Sequence, residues 1–479
     1  MFDNPLIRRY RYSLMRPAQF WVYVGIYISV IGLMLLINYS IYLQQDLYKT
    51  LSSLFDSLYI QFLILETFIL LLWGAINCGS AINAEKTERT YDFFKMLPLP
   101  AYKKMLGILI GSNLVVLLLA GINLVFMVFF GVIGTTSSKM LLETLFALAC
   151  GAFLLNTIGL LSSLCSKTKA KGSKVGVIIV LLIFGIPFLM HAVFAISQVN
   201  KLEGMGAKFY GLTLPVLVLA GLIMLYFTAW NIIGIIRKFN KDLMPLFTRF
   251  GSLLYLIGYE AILLGLLLPH LCKYTEEMLM TYWWLSIVPV VFIPFGASLD
   301  IKGYQELAAS YRTKISSPAR RRFVFLTMSN VALGIVIFLI WAIVSFVFFL
   351  VPSIFQSHPP YDIIRLTLVI LTFAGFYIFL LLLVEFGLTY QTERSRIGLL
   401  AVFIGVVYVI LPLIIGGIFD NEKFVSFSPA GFFVLVVSDE LKGIVPFIKI
   451  CLYNLLLLVI PAVLVARKYA RLTAAKPQG

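Results

Sequence analysis

Charge is scarce in this sequence: 13% of its 479 residues are Asp, Glu, Lys or Arg, against 61% hydrophobic residues. Soluble domains carry roughly 25% charge, so the shortage excludes an ordinary soluble globular chain. Acid is scarcer still, with 22 Asp and Glu against 38 Lys and Arg and a formal net charge of +16. The five cysteines, Cys78, Cys150, Cys165, Cys272 and Cys451, have no paired or metal-type spacing. They imply neither zinc nor a disulfide framework, and in or beside apolar helices cysteine behaves as a small apolar residue. The three histidines, His191, His270 and His358, are equally scattered and build no His-Glu-x-x-His pair. No metal site and no catalytic residue is expected. A GxxxxGK[ST] phosphate loop is also lacking.

What the chain does contain is long hydrophobic runs. At about 20 apolar residues per crossing, spans are predicted near 20–42, 58–83, 104–132, 141–165, 175–197 and 212–235, then near 251–269, 280–299, 323–351, 363–389, 397–418 and 445–465. The first run is too long for a signal-peptide core and has no small-residue cleavage site, so it is expected to be retained. Twelve spans put both termini on one side. Residues 1–19, the even-numbered connections with Lys104 at the head of the third span, and the tail from 466 together hold 29 Lys and Arg, and the other side with its adjoining span ends holds nine. Short basic loops stay in the cytoplasm, so both termini are expected there. The basic excess is therefore mostly topological. No soluble basic domain exists to bind nucleic acid, and acidic lipid headgroups are the expected neighbours of these loops.

The loops repeat in order along the chain, the first pair at an offset of 217. GSAINAEKTERTYDFFKMLPLPAYKK from Gly79 is echoed by GASLDIKGYQELAASYRTKISSPARRR from Gly296, which sets Lys95 against Arg312 and Ser112-Asn113 against Ser329-Asn330. SKVGVIIVLLIFGIP from Ser173 is echoed by SRIGLLAVFIGVVYVILP from Ser395, and IIRKFNK at 235–241 by VARKYAR at 465–471. Their collinear order predicts a tandem duplication of a six-helix unit: 1–242 with an N-terminal elbow at 1–19 and a charged segment at 84–104, then 243–479 with a second charged segment at 300–322. Both units would start and end inside, as parallel repeats related by an axis along the membrane normal.

Within EKTERTYDFFKMLPLP, Tyr91, Phe94 and Leu97 fall on one helical stripe and Glu88, Asp92 and Lys95 on another. Pro98 and Pro100 end the pattern and lead into the next span. Such a short amphipathic helix either lies in the membrane interface with its aromatics toward lipid or offers a docking surface to a cytoplasmic partner.

This stretch resembles the type-2 ATP-binding-cassette exporter permeases, in which the corresponding segment runs E-x-x-x-G-T-x-x-x-L-x-x-x-P. Glu85, Thr90, Phe94 and Pro98 match the acid, threonine, apolar and proline positions. Arg89 stands where glycine is usual, which points to a more continuous helix here or to a looser kinship. The resemblance implies an all-α integral membrane protein of the bacterial cytoplasmic membrane whose coupling helix enters a groove on a separate cytoplasmic ATPase subunit. ATP would be bound there and no cofactor in this chain. NPLIRRYRYSLMRPAQF resembles the family's amphipathic elbow, and residues 419–444 resemble its external insertion after the fifth span. In the second coupling segment Lys302 replaces the acid and Leu307 the threonine; Lys302 and Arg312 take the ATPase-coupling positions there. Family permeases of six helices pair, so a fused chain of both halves implies one chain per complex.

Ionisable and polar residues at membrane depth default to functional candidates. Glu66 and Glu260 lie well inside their spans, and Glu385 lies near a cytoplasmic end where it is expected to reach water. Asn113, Asn123, Ser329 and Asn330 either line a pathway or tie helices together. The reading from a different class is a proton-coupled secondary transporter of 6+6 helices that uses Glu66 and Glu260.

Overall fold

The elbow begins at a capped proline. Asn4 Oδ1 accepts the Leu6 amide at 3.0 Å, and Pro5, which has no donor to lose at the first helical position, opens α1 (Pro5–Leu14). Pro17 then opens α2 (Pro17–Leu43), here without a side-chain cap. In this computed structural model, residues 4–44, 50–165, 206–240, 245–267 and 327–355 are described without interruption, with isolated positions between 285 and 324 and between 370 and 470.

Seven helices among the described residues are long and apolar enough to cross a membrane: Pro17–Leu43, Leu51–Thr87, Leu114–Ile133, Ser138–Cys165, Val216–Asn240, Arg249–Leu266 and Asn330–Val347. The chain is a mostly helical, membrane-embedded protein. Its described part falls into two compact units, Met1–Asp242 and Leu243–Gly479.

In the first unit the predicted span 58–83 is the middle of a longer rod. Thr50 caps α3 (Leu51–Thr67) through a reciprocal box with Ser53. A π-helical stretch, Phe68–Trp73, then passes the chain into α4 (Gly74–Thr87) without a break. The 37-residue run is roughly 55 Å long at 1.5 Å per residue, more than the ~40–45 Å of a bilayer with its headgroups. Its ends therefore have length to stand outside the membrane.

The predicted span 104–132 is two helices, α6 (Ala101–Ser112) and α7 (Leu114–Ile133), divided at Asn113. Helix α8 (Ser138–Cys165) follows. The predicted span 212–235 starts later than expected. Residues 212–215 form β2 (Leu212–Pro215), paired antiparallel with β1 (Gly206–Phe209), and α9 runs Val216–Asn240. Tyr210 and Gly211 have φ of 48° and 85°, the left-handed pair that a two-residue hairpin turn needs. Apolar run length hid this hairpin because Phe209, Leu212 and Leu214 continue the hydropathy of the span.

Among the described residues, two apolar clusters organise this unit. One joins α2, α3, α7 and the start of α8 around Tyr59, Phe62, Met127 and Phe130, with Phe62 stacked against Phe126 and Phe130, each at 5.5 Å between centroids. The other gathers α1, α4, α6, the last turns of α8 and α9, and a short helix α5 (Tyr91–Met96) around Ile82, Phe94, Ile108, Leu160 and Ile235. Helices α4 and α8 lie backbone to backbone where they cross: a Cβ on Gly159 would sit 2.4 Å from the Ala75 carbonyl oxygen.

In the second unit, α10 (Arg249–Leu267) and α11 (Asn330–Phe355) contact one another. Trp341 Nε1 donates to Ser286 Oγ at 3.0 Å and the Tyr377 hydroxyl to the Val290 carbonyl at 2.8 Å. The predicted spans 175–197 and 397–418, the insertion 419–444, and both Lys302 and Arg312 lie outside the described residues, save for isolated positions.

Candidate coupling site

Helix α4 ends at a left-handed residue. The Arg89 amide bonds to the Lys86 carbonyl at 3.3 Å and the Thr90 amide to the Glu85 carbonyl at 2.9 Å, while Arg89 has φ of 59°. These two bonds, around a residue of positive φ, form a Schellman C-cap. The expectation of a more continuous helix is thus corrected: the chain breaks at Arg89 and restarts at Tyr91. The spacing from acid to threonine follows from this geometry, since the acid's carbonyl receives the amide five residues on. Glycine is the usual occupant of such a position because it has no Cβ to crowd the following carbonyl. Arg89→Gly is expected to raise the thermal midpoint of the purified chain by an amount worth about 0.5–1 kcal/mol, and Arg89→Val to lower it; equal midpoints for all three would show that the position carries no strain.

The cap brings three of the sequence-predicted residues together. Thr90 Oγ1 donates to both the Glu85 carbonyl and its carboxylate. Glu85, 9% exposed, receives Arg9 of α1 on its other side, with Nη2 3.0 Å from Oε1 and 3.2 Å from Oε2. The Arg9 guanidinium also lies over the Phe94 ring at 4.8 Å from its centroid. Arg9 therefore closes Glu85, Thr90 and Phe94 into one cluster. Sequence reading placed it only in the elbow, because nothing local distinguishes it from Arg8 or Arg11. Pro98 stands apart, exposed in the link between α5 and α6.

Two lysines hold the same short helix from other directions. Lys86 Nζ donates to the Ser163 and Leu164 carbonyls at 3.0 and 2.9 Å, which serves the last turn of α8, and lies 5.3 Å from the Tyr91 ring. In return Ser163 Oγ accepts the Ile82 and Asn83 amides of α4, both at 3.1 Å. Lys104 of α6 donates to the Lys95 carbonyl at the end of α5 at 2.8 Å. Helix α5 is thus tied to α1, α4 and α8, and α6 through Arg9, Lys86 and Lys104 in turn. The predicted stripe is right in its buried half: Tyr91 and Phe94 face inward. Phe93 and Met96 face out, 64% and 75% exposed, so half of the apolar surface of α5 is unused by this unit.

Tyr10 packs into the same region, its ring against Gly111 of α6. Burial, then the nearby Glu85 carboxylate, pushes its phenol above the ordinary range. The unfolded chain releases this proton first as pH rises past about 10, so folded stability falls above that pH. Tyr10→Phe is expected to flatten the alkaline loss of stability in a pH series of thermal midpoints.

The polar residues at membrane depth are placed differently. Asn123 Nδ2 donates to Glu66 Oε2 and to the Phe62 carbonyl, each at 2.8 Å, and its Oδ1 accepts the Tyr27 hydroxyl at 2.8 Å. Glu66 is 1% exposed. One asparagine therefore ties α2, α3 and α7. Asn123→Leu is expected to cost about 1–2 kcal/mol of stability in detergent, the scale of a membrane-buried hydrogen bond; an unchanged midpoint would remove this role. Asn113 sits at the break between α6 and α7 and donates to Cys78 Sγ at 3.1 Å. In the second unit Asn330 Nδ2 donates to Glu385 Oε2 at 2.9 Å, and Glu385 is 0% exposed. The expectation that Glu385 reaches water is corrected: it is enclosed between helices. Glu260 is also buried, at 2%.

Comparison of the chain with models of known protein families, with curated proteins and with solved structures finds no match.

Proposed function

We infer that the chain is the membrane-spanning permease subunit of an ATP-driven exporter, built as two fused six-helix halves with both termini cytoplasmic, and that α5 is the lever through which a separate ATPase subunit drives it. The observation that carries this reading is the convergence of Arg9, Glu85, Thr90 and Phe94 under an α5 whose other face presents Phe93 and Met96. A helix of six residues has little stability of its own. Its position therefore depends on those ties, and any force on its outer face passes through Arg9 to α1, through Lys86 to α8 and through Lys104 to α6. A groove on the ATPase would take Phe93 and Met96 as apolar anchors, and exposed Asp92 and Lys95 would lie at the rim.

Mild-detergent purification of the tagged chain tests this directly. A soluble ATPase subunit is expected to co-purify with the wild type and to be lost from Phe93→Ser/Met96→Ser, two exposed changes that leave the fold intact. Its absence from the wild type would overturn the reading. The second reading, proton-coupled secondary transport, draws on the burial of Glu66 and Glu260. Proton-driven transport by the purified chain alone, without ATP and lost in Glu66→Gln, is the outcome that favours it.

A further inference from the structure

Helix α2 is one-sided. Its buried residues, Tyr27, Ile31 and Asn38, all lie on the face toward α3 and α7. The opposite face carries a shallow, open groove of about 590 Å³ lined by residues of α2 alone, Trp21, Gly25, Ile26, Ser29 and Leu33 among them. Gly25 leaves a gap between the side chains of this face, and a Cβ added there would meet nothing within 4 Å. From Trp21 to Leu33 the groove is roughly 18 Å long at 1.5 Å per residue. That matches the ~15 Å hydrocarbon depth of one leaflet.

The end of the groove at Trp21 is cationic. No Asp or Glu occurs from residue 4 to residue 45, while Arg8, Arg9, Arg11 and Arg16 all precede it. Arg9 is committed to Glu85. Arg11 and Arg16 are exposed, Tyr12 beside them is 73% exposed and Trp21 70% exposed, and Trp21 meets Phe20 edge to face at 5.4 Å. Basic side chains and amphipathic rings at the end of a span are what a phosphate-bearing headgroup layer selects.

We propose that the elbow and the outer face of α2 form a binding site for one acidic phospholipid, its phosphate held by Arg11 and Arg16 and one acyl chain lying in the Gly25 groove. Charge complementarity selects the headgroup, and the length and apolar lining of the groove select a lipid tail over a free anion. The site does not depend on the exporter reading, because it requires only that α2 spans the bilayer.

Native mass spectrometry of the full-length chain in detergent, titrated with phosphatidylglycerol and with phosphatidylcholine of the same acyl chains, tests it. Phosphatidylglycerol is expected to be retained preferentially, and to survive excess inorganic phosphate. At about fivefold per arginine at a membrane surface, Arg11→Gln/Arg16→Gln is expected to weaken that retention by about thirtyfold, whereas Gly25→Leu, which fills the groove, is expected to weaken retention of both lipids. All variants are at exposed positions, so monodispersity and unchanged tryptophan emission confirm folding in each. Equal binding of the two lipids by the wild type, or retention unchanged in both variants, overturns the proposal. So does a lipid-free dimer that Gly25→Leu dissociates, which would make a second copy the occupant.

Discussion

Arg9→Ala is expected to loosen the seat of α5 more than any other single change at its surface. The substitution removes the ion pair to Glu85 and the cation over Phe94 together, leaving a nearly buried carboxylate with Thr90 as its remaining side-chain donor among the described residues. Stranding a buried polar group costs about 1–3 kcal/mol. Arg9 is itself 46% exposed, so solvent screening places the expected loss near 1–2 kcal/mol. Arg9→Lys keeps the charge and loses the planar stack and the forked donors, and is expected to recover less than half of that. Glu85→Gln tests the same contact from the other side. In a double-mutant cycle the coupling energy between positions 9 and 85 is expected to be about 1 kcal/mol or more, read from thermal or denaturant unfolding of the purified chain. Independent, additive effects would mean that α1 and α4 are neighbours without being joined. If the exporter reading holds, Arg9→Ala also leaves the ATPase bound while transport falls, because Phe93 and Met96 remain in place and the connection behind them does not.

Gly159→Val has the other large expected effect. The Cβ would meet backbone, the Ala75 carbonyl oxygen at 2.4 Å and the Gly79 amide nitrogen at 3.2 Å, and backbone in the middle of two helices cannot rotate away as a side chain does. Helices α4 and α8 would have to separate. Overpacking of this kind costs about 1–3 kcal/mol or more, and close approach at small residues is the chief attraction between helices in lipid, where apolar burial no longer discriminates. Separation would also pull Ser163 Oγ from the Ile82 and Asn83 amides and Lys86 from the end of α8, so the loss reaches the site that α4 carries. A fall in thermal midpoint well beyond that of Gly121→Val, where an added Cβ meets nothing within 4 Å, is the expected comparison. Similar midpoints for the two variants would show that the helices have room to adjust.

The cluster of Glu85, Thr90 and Phe94 was half legible in the chain. The acid, threonine and apolar positions are recognisable by spacing, and the structure explains the spacing as a C-cap followed by one turn of helix. Arg89 was misread because residue preference argues against φ of 59° in arginine. The two bonds of the cap, Arg89 to Lys86 and Thr90 to Glu85, hold the backbone there regardless. The hairpin at 206–215 was missed for a related reason: hydropathy does not change where the span gives way to strand.

Glu66 shows the same division. That a carboxylate lies deep in a span can be read from composition along the chain. That it meets Asn123, 57 positions away, cannot, because several polar residues on neighbouring spans are equally eligible by type.

By itself the sequence determined the medium this protein occupies, the approximate location of its apolar helices and the segment at 84–104 that interrupts them, because hydrophobicity, charge and helical period are local quantities summed over a window. Only the tertiary structure decided which arginine of the elbow meets Glu85, which asparagine ties Glu66, and that Gly159 must remain small. Those choices depend on how helices distant in sequence rotate and approach, and a window of sequence carries no record of that.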